Sequence, residues 1–240
     1  MEKTVLVMGA GDAIGSAIMR AFAGVGYTVV GARRNGEKLQ PVVDEIVRTG
    51  GKAHGFSCDA RNEEQVTELF AKIENDIGPL DSVVFNVGAN VPMTMLDTDT
   101  RKFTKIWEMA TLAGFLTGQA AARLMSERGQ GSIIFTGATA SMRGAAGFGA
   151  FASAKGALRN MVQSLAREMG PQNVHVAHVV IDAAVDTEWI KGMLPDYEAR
   201  KANDGVVNPD DLAQNYVWLH EQPRNSWTFE LDIRPWNEKW

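Results

Sequence analysis

The sequence predicts an α/β fold: a Rossmann-type, doubly wound parallel sheet of about seven strands with helices on both faces. Three observations carry this expectation. Short runs rich in Val and Ile alternate with longer stretches of helical period along the whole chain. The short runs are apolar at nearly every position, which marks strands buried on both faces and hence a parallel sheet joined by right-handed crossovers. A glycine-rich turn, Gly9-Ala10-Gly11-Asp12-Ala13-Ile14-Gly15, stands between the first strand and the first helix. No linker or repeat divides the 240 residues, so residues 1–240 read as a single domain, long enough to bury a full core without disulfide or metal.

Taken in order, strands are expected at 4–8, with Val5, Leu6 and Val7 in succession, and at 28–32, with Val29 and Val30. The third and fourth fall at 53–57 and 82–86, the latter around Val83, Val84 and Phe85. Ile133, Ile134 and Phe135 define a fifth at 132–136, a long apolar run a sixth at 174–181, and residues 228–233 the seventh. Residues 14–23, 39–49, 63–77, 101–128, 150–169 and 210–220 have helical period. Residues 189–208 break the alternation, mixing Trp189, Met193, Pro195, Tyr197 and Gly205 without a sustained period. They follow the sixth strand, beyond whose carboxyl end an open sheet binds its ligand, and so read as a substrate lid over a small-molecule site.

Composition excludes several other classes. The 24 basic and 29 acidic residues are interspersed, with no basic run longer than Arg33-Arg34, so no nucleic-acid partner is expected. The longest apolar stretches fall short of the ~18 residues of a membrane span. The first residues carry Glu2 and enter a strand directly, without a secretory pattern, so a cytoplasmic protein is expected. Cys58 is the single cysteine and reads as a small buried side chain. His54, His175, His178 and His220 show neither metal-ligand nor triad spacing, and no metal is expected. His175 and His178, three apart on a strand, should face opposite sides.

The glycine turn has a chemical reading. A dinucleotide's pyrophosphate needs backbone without Cβ atoms and a helix N-terminus whose free N–H groups favour negative charge. Gly9, Gly11, Asp12, Ile14 and Gly15 stand where those needs are met, in the strand–turn–helix context that gives the motif its weight. At the end of the second strand an acid would bind the ribose hydroxyl of NAD, whereas arginine accommodates the 2'-phosphate of NADP. The chain has Arg33 and Arg34 there and no acid before Glu37, which favours NADP over NAD. Asp12 works against that preference by adding negative charge near the phosphates.

These residues resemble the short-chain dehydrogenase/reductase family across essentially the whole chain. Gly9, Ala13 and Gly15 match its TGxxxGxG turn, with Met8 for the Thr and Ala13 for the middle Gly. Cys58-Asp59-Ala60 is similar to the acidic turn that meets the adenine, and Phe85-Asn86-Val87-Gly88 stands at the NNAG motif. Phe151-Ala152-Ser153-Ala154-Lys155 falls where the family has YxxxK, and Thr187 matches the threonine after the sixth strand. The resemblance thus adds Asp59, Asn86, Gly88, Lys155, Val185 and Thr187 to the expected cofactor site, with Lys155 also catalytic.

The resemblance fails at the chemistry. Family members use a Tyr as proton donor, a Lys that lowers its pKa, a Ser that binds the carbonyl and an Asn that supports a water relay. Here the Tyr position is Phe151, the Ser position is Ala138 and the Asn position aligns with Ala110. Only Lys155 remains. A lost general acid and a lost carbonyl donor put roughly 5–9 kcal/mol of barrier at stake if the effects add.

Replacements can be named. Thr136, Thr139 and Ser141 are hydroxyls near Ala138, Tyr197 lies in the presumed lid, and Asp182 stands where the family has Pro-Gly. The ending Arg234-Pro235-Trp236-Asn237-Glu238-Lys239-Trp240, together with Trp227, suits subunit packing in a homo-oligomer, a dimer or tetramer. Two functions stay open: an oxidoreductase with an atypical site, and a non-catalytic NADP-binding protein, a sensor or structural subunit, that keeps Lys155 for the ribose.

Overall fold

In the computed structural model, which describes residues 3–88 and 90–239, seven strands form one parallel sheet in the order β3-β2-β1-β4-β5-β6-β7. The strands are β1 (Thr4–Met8), β2 (Thr28–Arg33), β3 (Lys52–Ser57), β4 (Leu80–Phe85), β5 (Ser132–Thr136), β6 (His175–Ile181) and β7 (Glu230–Ile233). Between them run α1 (Ile14–Gly24), α2 (Gln40–Arg48), α3 (Glu63–Asp76), α4 (Thr100–Trp107), α5 (Ala113–Arg128), α6 (Thr139–Met142), α7 (Gly149–Met169), α8 (Glu188–Met193), α9 (Tyr197–Ala202) and α10 (Pro209–Glu221). The chain winds outward from β1 to β3, returns to β4 beside β1, and winds the other way to β7. This reversal leaves a crevice at the carboxyl ends of β1 and β4, the place where open sheets take ligands.

Strand alternation divides the core into two layers. Val5 and Val7 face one side with Ile18 and Phe22 of α1 and Tyr216 and Leu219 of α10. Leu6 and Met8 face the other with Leu69 of α3, Leu116 of α5 and Leu158 of α7. Helices thus cover both faces, as the doubly apolar strands require.

Three departures from the sequence reading have physical causes. The helix expected over 101–128 is two, α4 and α5, joined by a π turn at Glu108–Leu112. These residues have ordinary helical propensities, so no break is legible there, and π turns of this kind cluster at functional sites. Residues 189–208 are not aperiodic: α8 and α9 are short helices separated around Pro195, and the Thr187 hydroxyl caps α8 by accepting from the Ile190 N–H at 3.1 Å. Finally, β3 is an edge strand, largely exposed rather than buried on both faces.

Three of the four histidines are structural, and the fourth, His54, lies on exposed β3. His175 stacks on Trp227 at 4.9 Å and bonds the Thr228 carbonyl, while His178, on the opposite face of β6, meets Glu230 at 3.0 Å. His220 joins a polar chain through Tyr27 (2.9 Å), Ser132 (2.7 Å) and Ser82. Trp227 therefore packs on its own domain. The tail folds back too: the Trp236 indole donates to the Asn203 carbonyl at 3.2 Å while its ring stays 76% exposed. Trp240 lies outside the described residues. Cys58 is buried, and burial pushes its thiol up to about 11, which leaves it unreactive.

Candidate functional site

The crevice is shaped by the turn after β1. Gly9 has φ +90°, and a Cβ there would stand 2.8 Å from the backbone of Asn86. The turn can therefore lie directly against the end of β4, fastened by the Asn86 amide donating to the Gly9 carbonyl at 3.2 Å. Gly15 is equally constrained, since its Cβ would approach Ala10 Cα to 2.5 Å. Gly11 differs: nothing lies within 4 Å of its would-be Cβ, and the space beyond is the cavity. Ala13, at the cap of α1, has no side chain to accept from the first-turn N–H groups. The Ser16 N–H is taken by the Gly11 carbonyl at 2.9 Å, which leaves the Ile14 and Gly15 N–H groups and the helix dipole for an anion.

The cavity above the turn has a volume of about 670 Å³, within the ~300–1,000 Å³ typical of ligand sites. Eleven of the thirteen expected cofactor residues line it: Gly9, Gly11, Asp12, Ile14 and Gly15 from the turn, Arg33 and Arg34 from the end of β2, Asp59, Asn86, Gly88 and Thr187. Two stand apart. Val185 is buried in the core beside a one-residue bridge to Val207, and its side chain does not reach the cavity. Lys155 is 3% exposed and lies behind the wall, its Nζ donating to the Thr136 carbonyl at 2.9 Å and the Val87 carbonyl at 3.4 Å.

Two cations were missed in the sequence. Lys38 and Arg61 also line the cavity, beside Arg33 and Arg34. Arg61 grips Asp59 with two parallel bonds, Nε to Oδ1 at 2.9 Å and Nη2 to Oδ2 at 2.6 Å, and these hold the Asp59 carboxyl below the usual range. Its place two residues beyond Asp59 in the same turn was the available signal. Arg33 in turn meets Asp12 at 2.5 Å, so the Asp12 charge is countered rather than free. A glycine cradle, two free N–H groups at the helix N-terminus and a cationic rim fit the pyrophosphate of a dinucleotide.

Beyond this cavity, the three positions where the family resemblance places Tyr, Ser and Asn come together. Ala110 in the π turn and Phe151 in the first turn of α7 belong to one buried apolar cluster with Ile106, Ala150 and Ala154, and Ala138 packs against it. Chain segments distant in sequence have converged on an apolar cluster.

The possible replacements are engaged elsewhere. Thr136 bonds the Tyr216 hydroxyl at 2.8 Å, Thr139 donates to Asp182, and the Ser141 hydroxyl accepts from the Ala138 N–H at 3.1 Å. Tyr197 is buried with its hydroxyl on Asp186, so it is not a swinging acid. Asp182 is held by Thr139, Arg143 at 3.0 Å and Arg234 at 3.3 Å. Burial opposes its charge, but the Thr139 and Arg143 bonds outweigh that and keep the carboxyl below its usual range, which rules out a neutral proton donor. Lys155 is engaged too, by the Thr136 and Val87 carbonyls, but burial lowers its pKa to about 8.

Known proteins share this fold. The 7α-hydroxysteroid dehydrogenase of Escherichia coli K12 is 27% identical over 230 residues, covering 94% of this chain and 89% of that protein. A short-chain dehydrogenase structure from Rhodopseudomonas palustris is 48% identical, with a TM-score of 0.84 over 98% of this chain and 99% of that one. A 7α-hydroxysteroid dehydrogenase complexed with NADH and 7-oxo glycochenodeoxycholic acid is 27% identical, with a TM-score of 0.88 over 97% and 92%. Residues 3–197 match the short chain dehydrogenase family. On the fold, the glycine turn and this matched span, the chain belongs to the short-chain dehydrogenase family of oxidoreductases.

Proposed function

We propose that this protein is an NADP-preferring oxidoreductase that works without a protein hydroxyl at the reacting centre, on a substrate that needs little protonation. The observation that carries this reading is the apolar cluster of Phe151, Ala110 and Ala138 beside a retained, buried Lys155. When bound, the nicotinamide dinucleotide supplies hydride chemistry. Gly9, Gly11 and the first turn of α1 would hold its pyrophosphate, Asp59 its adenine end, Arg33 and Arg34 the 2'-phosphate, and Asn86, Gly88 and Thr187 the nicotinamide side.

The related hydroxysteroid dehydrogenase structure holds NADH. The preference for NADP here therefore rests on this chain's arginines. Lys155, held behind the cavity wall by the Thr136 and Val87 carbonyls, would turn toward the nicotinamide ribose on cofactor binding, and with a pKa of about 8 it can also surrender a proton near neutral pH. The side chains of Phe151, Ala110 and Ala138 neither donate nor accept a hydrogen bond. A centre without a proton donor suits a substrate that needs no proton at hydride transfer: an iminium, which already carries its charge, or an activated carbon–carbon double bond, protonated afterwards by water or Lys155. It does not suit a simple ketone.

The test is a fluorescence titration with NADPH and NADH, followed by turnover against matched panels of imines, activated alkenes and ketones. NADPH should bind more tightly, and imines or alkenes should be reduced at least ~10²-fold faster than ketones. Tight NADPH binding with no turnover on any panel overturns the catalytic reading, and equal affinities overturn the cofactor preference.

A further inference from the structure

The Asp12–Arg33 ion pair spans two elements that the cofactor site also joins. Arg33 ends β2, with its side chain 22% exposed, and Asp12 lies in the turn between β1 and α1, with its side chain 81% exposed. Both line the cavity, and the carboxylate oxygen stands 2.5 Å from Nη1 of the guanidinium. We propose that Asp12 is an internal competitor for the 2'-phosphate of the cofactor, occupying the guanidinium of Arg33 until the phosphate displaces it. This rests on the reading that Arg33 faces that phosphate.

The chemistry favours displacement but taxes it. A phosphate monoester near pH 7 carries ≈ −1.5 to −2 charge and three acceptor oxygens, against one charge and two oxygens for a carboxylate. The phosphate therefore wins Arg33, yet Asp12 is then left beside an anion with its own cation removed. Both effects weaken binding of the phosphorylated dinucleotide more than that of the unphosphorylated one, which leaves the Asp12–Arg33 pair intact. Exposed ion pairs contribute up to about a fivefold factor, and repulsion adds to that. Asp12 thus sets how far the arginines can discriminate between NADP and NAD, and keeps the phosphorylated form exchangeable.

The experiment uses the intact protein and two probes lacking the nicotinamide: 2',5'-ADP, which carries the phosphate, and 5'-AMP, which does not. Affinities are measured by calorimetry for the wild type, Asp12→Asn, Arg33→Ala and the double variant. Asp12 is exposed in a turn, so Asp12→Asn should retain the wild-type melting temperature. It should bind 2',5'-ADP about fivefold more tightly and 5'-AMP within twofold of the wild type. Arg33→Ala should weaken 2',5'-ADP, and adding Asp12→Asn to that variant should recover only the repulsive part, a smaller gain than Asp12→Asn gives with Arg33 present.

If Asp12→Asn weakens 2',5'-ADP or leaves it unchanged while Arg33→Ala weakens it, the competitor role is overturned and the phosphate site stands. Equal tightening of both probes by Asp12→Asn also overturns the role, because a general field would then act. If Arg33→Ala leaves 2',5'-ADP at its wild-type affinity, the underlying NADP reading fails first.

Discussion

Lys155 is held by two carbonyl oxygens in a buried position, and burial lowers its pKa from 10.5 to about 8. The folded state therefore disfavours the charged form, by up to about 3 kcal/mol below pH 8. That penalty fades as pH rises from 8 toward 10.5, where the unfolded chain also loses the proton. Lys155→Met should accordingly be more stable than the wild type at pH 7 and lose that advantage by pH 10.5, as urea denaturation at the two pH values will show. The same variant should bind NADPH less well. Phe151 and Ala138 pose the reverse question. Phe151→Tyr with Ala138→Ser restores a proton donor and a carbonyl ligand, and ketone reduction should rise at least ~10²-fold in an assay of NADPH consumption. Placing hydroxyls in an apolar cluster should lower stability by about 1–3 kcal/mol.

At the scale of elements, the β1–α1 turn separates fold from function among its own glycines. Gly15→Ala forces a Cβ against the Ala10 backbone and should cost several kcal/mol or prevent folding, whereas Gly11→Ala meets nothing and should leave the melting temperature nearly unchanged. Gly11→Ala nonetheless projects into the cavity and should weaken NADPH binding, which a thermal melt and a titration on one sample will distinguish. The turn was legible in the sequence because backbone requirements select residue types. The sheet was legible because Val5–Val7 and Ile133–Phe135 admit no solvent-facing side. The π turn at Glu108–Leu112 was not, since it depends on how α4 and α5 pack around Ala110 and Phe151. Nor was the pairing of Asp12 with Arg33, which requires two loops to be brought side by side. Lys38 entered the site for the same reason, since the fold decides which side chains line the cavity, whereas Arg61 was legible from its place beside Asp59 in one turn.

For the whole molecule, buried histidines set the acid limit. Burial lowers both His178 and His220 to about 4. His178 has Nδ1 on Glu230 and its Nε2 buried without a hydrogen-bond partner, so a second ring proton would be stranded. The unfolded chain binds those protons near pH 6.5. Stability should therefore fall as pH drops from 6.5 to 4, by ~3 kcal/mol for His178 alone, and His178→Gln should flatten the profile in denaturation series at pH 7, 6 and 5.

The order of the strands has a consequence for how the chain assembles. Strands β1 to β3 are adjacent in both sequence and space, so that half can pair as soon as it is synthesised, while β4, beginning at Leu80, must return to the free edge of β1. The crevice is the seam between an early half and a late half. A dinucleotide touching Arg33 on one side and Gly88 and Thr187 on the other would fasten that seam, acting as a clasp on the folded chain as well as a reactant.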